Sequence, residues 1–150
     1  MADLRELYQE VILDHHKRPR NCRKPDDANK HADGFNPLCG DKVSVFVRVE
    51  DGVVRDIAFQ GSGCAISTAS ASMMTETLKG KSEAEAAQIF ARFHDLVTGK
   101  TPIDGDNSAL GKLAVFAGVR DYPVRVKCAT LAWHTLRAAL AESQETVATE

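Results

Sequence analysis

Val43-Ser44-Val45-Phe46-Val47-Arg48-Val49-Glu50-Asp51-Gly52 places a valine at every second position and then stops on a turn dipeptide. A period of two is strand spacing, and β-branched residues suit a half-buried pleated face. Asp51-Gly52 accepts the positive φ angles of a two-residue hairpin turn. Residues 53–60 read as the returning strand, with Ile57 and Phe59 as apolar anchors. Residues 31–36 are a candidate third strand.

Downstream the period becomes helical. Gly61-Ser62-Gly63 ends the second strand, and a helix is predicted over 64–78, stopping at Gly80. Ile66, Ala69, Met73 and Thr77 form its expected inward face. Cys64 falls in its first turn, where unpaired backbone N–H groups and the helix dipole favour a thiolate. Ser82 and Glu85 have the spacing of a capping box. The helix they open covers 83–97 and buries Ala86, Ile89, Phe90, Phe93 and Val97. Residues 98–109 are a polar loop. Residues 110–119 form a short helix carrying Leu113, Val115 and Phe116. Tyr122-Pro123 opens the last helix, with proline at a tolerated first-turn position. Cys128, Leu131, Ala132, Leu136 and Ala139 share its inward face. The tail after Glu142 is polar and expected to fray.

Upstream, Asp3 is a predicted N-cap for a helix to about His16, with an apolar stripe of Leu4, Leu7, Tyr8, Val11 and Ile12. Pro19 stops it. His15 and His16 read as a solvated last turn. Residues 19–33 read as a loop, and Cys22 within it as a bystander thiol.

A hairpin followed by helices defines an α+β class: a small antiparallel sheet of about three strands, with helices on one face. The 150 residues amount to one domain, spanning 1–150. The formal net charge is −2 with mixed signs throughout, which argues against nucleic acid and against an anionic membrane surface as partners. No apolar run approaches the roughly 20 residues that span a bilayer. With no secretory signal, the expected location is the cytoplasm, where thiols are metal ligands or catalytic groups more often than disulfides.

Asn36-Pro37-Leu38-Cys39-Gly40-Asp41 precedes the hairpin and Cys64 follows it. A hairpin sets its two ends side by side, so Cys39, Asp41 and Cys64 meet at one sheet edge. Cys128 joins them if the last helix packs with its start at that edge. Three sulfurs and a carboxylate oxygen suit Zn²⁺, or form an incomplete thiolate cage for an iron–sulfur cluster.

Three stretches carry a resemblance: Asn-Pro-Leu-Cys-Gly-Asp at 36–41, Gly-Ser-Gly-Cys-Ala-Ile-Ser at 61–67 and Arg-Val-Lys-Cys-Ala-Thr-Leu-Ala-Trp at 125–133. Together they resemble the U-type iron–sulfur cluster assembly proteins, which include IscU, the N-terminal part of NifU, and SufU. The resemblance runs from the Leu4–His16 helix to Leu140. Within the family the chain looks like the SufU branch. Lys127 stands where the scaffold branch has histidine before the third cysteine. Asp121-Tyr122-Pro123-Val124-Arg125 replaces the scaffold branch's Leu-Pro-Pro-Val-Lys. Residues 98–117 look like the extra segment of SufU proteins.

The resemblance implies a zinc-bound acceptor of persulfide sulfur, held by Cys39, Asp41, Cys64 and Cys128. Its implied donor is a PLP-dependent, SufS-like cysteine desulfurase, and its product goes to downstream cluster assembly proteins. The alternative is a scaffold on which a [2Fe–2S] or [4Fe–4S] cluster is built on the same four residues. Cys39, in a loop between Pro37 and Gly40, is the expected sulfur acceptor. Arg125, one helical turn before Cys128, is an auxiliary candidate able to pair with a carboxylate or a thiolate.

Overall fold

The computed structural model describes residues 4–37, 40–100, 110–141 and 147–148. In chain order these form α1 (Leu4–Lys17), β1 (Lys30–Asn36), β2 (Asp41–Glu50), β3 (Val53–Ser62), α2 (Ala65–Leu78), α3 (Glu83–Val97), a 3₁₀ segment (Gly111–Asp121), α4 (Pro123–Leu140) and β4 (Val147–Ala148). The expected N-cap Asp3 and most of the polar loop before Leu110 lie outside the described residues.

β2 and β3 form the hairpin that the alternation predicts. Asp51 and Gly52 have φ of 53° and 73°, both in the left-handed region that the tight turn requires. The register sets Val45 opposite Phe59 and Val47 opposite Ile57, so each pair shares the buried face. β1 pairs antiparallel with β2 from Lys30↔Val47 to Asn36↔Asp41. The loop assigned to 19–33 therefore ends four residues sooner. Strand β1 was faint in the sequence because Ala32, Gly34 and Asn36 fill its buried positions. Small residues are needed there: a Cβ on Gly34 would collide with the Thr135 hydroxyl of α4. β4 adds two residues parallel to β1, giving the order β3-β2-β1-β4. At Val147 and Ala148 the tail expected to fray is thus paired.

The edge of β3 is covered. Phe59 N–H donates to the Asn21 carbonyl at 3.0 Å, and Arg23 grips both oxygens of Asp56 at 2.6 and 2.8 Å. Covering an edge strand blocks pairing with another chain.

Helices pack on one face of the sheet: α4 lies across β1 and β2, and α2 against β3. α2 is buried on nearly all sides, by Ser67, Ala69, Ser70, Ala71, Ser72, Met73, Met74, Thr75 and Leu78. The narrow face expected of it was too narrow, and Thr77 is only half-buried. The buried hydroxyls of Ser70, Ser72 and Thr75 find internal partners. Ser70 donates to the Ala129 carbonyl and accepts from Trp133 Nε1 at 3.0 Å. The capping box of Ser82 and Glu85 is present. Phe93 of α3 stacks on Trp133 at 4.6 Å between ring centroids and meets Phe116 edge-on at 5.7 Å.

Two local expectations change. The short helix after residue 109 is a 3₁₀ helix, and Leu113, Phe116 and Val119 recur at its three-residue period on the buried side. His15 is buried rather than solvated. Its Nδ1 lies 2.7 Å from Ser72 Oγ and its Nε2 3.4 Å from Glu76, which ties α1 to α2. His16 is exposed as expected.

Candidate metal centre

The centre forms where β1, β2 and β3 end together. Asn36, the last residue of β1, faces Asp41, the first of β2. Gly40, at φ 73°, donates its N–H to the Asn36 carbonyl at 2.8 Å and closes the turn between the strands. Lys42 pairs with Ser62 at the end of β3, so the chain passes Asp41 as it enters α2.

Asp41 is fully buried, and its two oxygens divide their roles. Oδ1 accepts the Cys64 backbone N–H at 2.9 Å, while Oδ2 stands 3.7 Å from Cys64 Sγ. Gly63 makes this approach possible, because a Cβ there would lie 2.6 Å from Oδ1. Cys64 is the N-cap of α2, which starts one residue later than expected, and its sulfur accepts the Ser67 N–H at 3.4 Å. Cys128 is buried on α4, and Asn36 Nδ2 donates to its sulfur at 3.7 Å.

One donor atom from each of Asp41, Cys64 and Cys128 lies within 4.8 Å of the others. Tetrahedral zinc, with bonds of about 2.3 Å to sulfur and about 2.1 Å to oxygen, separates its donors by roughly 3.5–4 Å. The 3.7 Å between Asp41 and Cys64 fits that spacing. The Cys64 thiol is pulled from 9.0 to about 7, first by its hydrogen bond with Cys128 and then by the Ser67 and Ile66 amides; burial and the Asp41 charge oppose the shift. A thiol so poised is ready to lose its proton to a cation. Cys64 is exposed while Asp41 and Cys128 are buried, so the centre opens on the Cys64 side.

Cys39, the fourth expected ligand, lies outside the described residues, between Asn36 and Asp41. Arg125 is exposed, and its guanidinium covers the Tyr122 ring at 4.7 Å. Cys22 is exposed on the outer side of β3, bridged to Phe59, and is not part of the Asp41–Cys64–Cys128 group. Asn36 was not singled out in the sequence. Its signals were its place at the head of the Asn-Pro-Leu-Cys-Gly-Asp stretch and at the end of a candidate strand.

Gly63→Ala is expected to push Asp41 off Cys64 and weaken metal binding by about 10- to 100-fold, the usual range for losing support around a ligand. Metal titration against a competing chelator measures this, and unchanged affinity contradicts the geometry.

A helix-covered sheet with an aspartate and two cysteines grouped at one end defines an α+β protein with a candidate metal site. The chain belongs to the family of the NifU-like N terminal domain, whose sequence profile matches residues 7–129. It is 40% identical over 143 residues to the zinc-dependent sulfurtransferase SufU of Bacillus subtilis, covering 95% of each chain. It is also 40% identical over 143 residues to the iron–sulfur cluster assembly scaffold protein IscU of Streptococcus pyogenes, covering 95% of this chain and 88% of that one. A crystal structure of SufU from Fervidobacterium islandicum, described as an iron–sulfur cluster assembly scaffold protein for the SUF system, superposes with a TM-score of 0.82 at 36% identity, covering 90% of this chain and 97% of that one.

Proposed function

We propose that this protein is a zinc-bound sulfur acceptor, taking persulfide sulfur from a cysteine desulfurase for iron–sulfur cluster biogenesis. The observation that carries the reading is the grouping of Asp41, Cys64 and Cys128 within 4.8 Å. Support comes from the 40% identity to a zinc-dependent sulfurtransferase over 95% of both chains. Cys39 is the fourth ligand in this reading. When bound, zinc holds thiols deprotonated at neutral pH.

The chain's own groups then do the following. Asp41 supplies a hard oxygen and fixes Cys64 through its N–H. Cys128 anchors the centre from the core. The Cys39 thiolate attacks the outer sulfur of the desulfurase persulfide. A new S–S bond forms at Cys39, and the desulfurase cysteine leaves as a thiolate. Arg125, one helical turn before Cys128, is an auxiliary group for pairing with the leaving or accepting sulfur. The donor is a PLP-dependent, SufS-like desulfurase, the recipients are downstream assembly proteins, and the compartment is the cytoplasm. Among the described residues, no helix is long and apolar enough to cross a membrane.

The second reading is a cluster scaffold, favoured by equal identity to an IscU scaffold protein. Metal analysis separates the two. The acceptor reading expects colourless protein with about one zinc, the stoichiometry of a single four-ligand site. Brown protein carrying iron and sulfide supports the scaffold. Asp41→Ala sharpens the comparison. For an acceptor it weakens zinc binding at least about tenfold. For a scaffold it prolongs cluster lifetime after reconstitution, because an exchangeable oxygen ligand is gone.

A further inference from the structure

A buried amide lies against the buried cysteine of the centre. Asn36 is fully buried, and its Nδ2 donates to Cys128 Sγ at 3.7 Å. The same residue accepts the Gly40 N–H through its carbonyl and faces Asp41 across the β1–β2 register. One residue thus connects the cysteine-bearing turn, the carboxylate ligand and the α4 ligand.

We infer that Asn36 is a positioning residue of the metal centre: its side-chain amide holds the Cys128 thiolate as a fixed, weakly nucleophilic anchor and leaves sulfur acceptance to Cys39. The inference rests on the sulfur-acceptor reading above.

The chemistry follows from charge. Three thiolates and a carboxylate place more negative charge on the site than a divalent cation neutralises. An N–H aimed at an ionised sulfur is a charge-assisted hydrogen bond, and burial strengthens it. Drawing electron density from sulfur lowers its basicity, and thiolate nucleophilicity falls with basicity. Cys64 has a counterpart in the Ser67 backbone N–H at 3.4 Å, supplied by the helix rather than by a dedicated side chain. Cys128 lies in the core, so protein groups rather than water sit beside its sulfur and tune it together with the metal.

The test uses the full chain with NMR-active cadmium in place of zinc. The metal nucleus is expected to correlate with the Asn36 side-chain amide protons through the Cys128 sulfur. It should correlate with the Ser67 amide proton through Cys64 in the same spectrum. A Ser67 correlation without an Asn36 correlation overturns this inference alone. Absence of coupling to the β-protons of Cys64 and Cys128 overturns it together with the metal assignment. A second measurement uses Asn36→Leu, similar in size without the donor. In the zinc-loaded variant, alkylation of Cys128 relative to Cys64, mapped by mass spectrometry, is expected to rise about tenfold, with metal affinity falling about 10- to 100-fold. A purely structural role would lower stability and leave the relative reactivity of the two cysteines unchanged. That result, in a folded variant, overturns the inference, and the cadmium spectrum of the unaltered protein decides if the variant fails to fold.

Discussion

Cys128→Ala is expected to abolish zinc binding and to lower the unfolding free energy by roughly 3 kcal/mol or more. A ligand held only by the folded state stabilises it by RT ln(1 + [L]/Kd), about 4 kcal/mol at a thousandfold excess over Kd. Structural zinc sites bind more tightly than that requires. The buried position adds its own loss. Removing the sulfur leaves a small cavity on α4, and the Asn36 amide loses the acceptor it reaches at 3.7 Å. Chelator should lower the Tm of the unaltered protein toward that of the variant and leave the variant's Tm unchanged. Cys22→Ser is the control, because that thiol is exposed on the far side of β3, and it should keep both zinc and Tm. Equal zinc loss in the two variants contradicts the ligand assignment.

The sequence was most legible where one local rule governs one element. Asp51-Gly52 forced the hairpin, because two successive positive φ angles leave few alternatives. Ser82 and Glu85 capped α3 as their spacing said. The hairpin in turn brought Asp41 and Cys64 together, since the ends of paired strands are neighbours. Cys128 was placed by the apolar face of α4.

Legibility failed where tertiary packing overrides pattern. α2 is built from alanine, serine and methionine because other elements close on it from several sides, so its amphipathic signal is weak. β1 shows no hydrophobic alternation because Ala32, Gly34 and Asn36 fill its inner face, and α4 leaves no room for a side chain at Gly34. His15 next to His16 looked like solvated charge, yet Ser72 and Glu76 receive its ring fifty-seven and sixty-one positions away in the chain. No local rule could supply those partners. Asn36 was hidden for the same reason, because its importance lies in reaching Cys128 across the core.

The second large effect concerns Cys39. Cys39→Ser is expected to keep the protein folded and to abolish sulfur acceptance, so that desulfurase turnover is no longer stimulated. The buried thiol of Cys128 is out of reach of a partner's active-site loop. Cys64 is tied to the start of α2 by its backbone bond to Asp41 and by the Ser67 N–H on its sulfur. Moving it would disturb the junction of β3 and α2. In the proposed acceptor reading Cys39 is the ligand thiol left to take the sulfur, and serine there keeps a hydroxyl without the nucleophile. Zinc should be retained in part, through Asp41, Cys64 and Cys128, with affinity reduced by at least about tenfold.

The account is tested most directly by mapping the transferred sulfur. The zinc-loaded protein is mixed with a cysteine desulfurase and cysteine, trapped with an alkylating agent, digested, and examined by mass spectrometry. The account predicts one extra sulfur on the peptide that contains Cys39, with Cys64 and Cys128 unmodified. Persulfide on Cys64 or Cys128 with none on Cys39, or a Cys39→Ser variant that still stimulates the desulfurase, contradicts it.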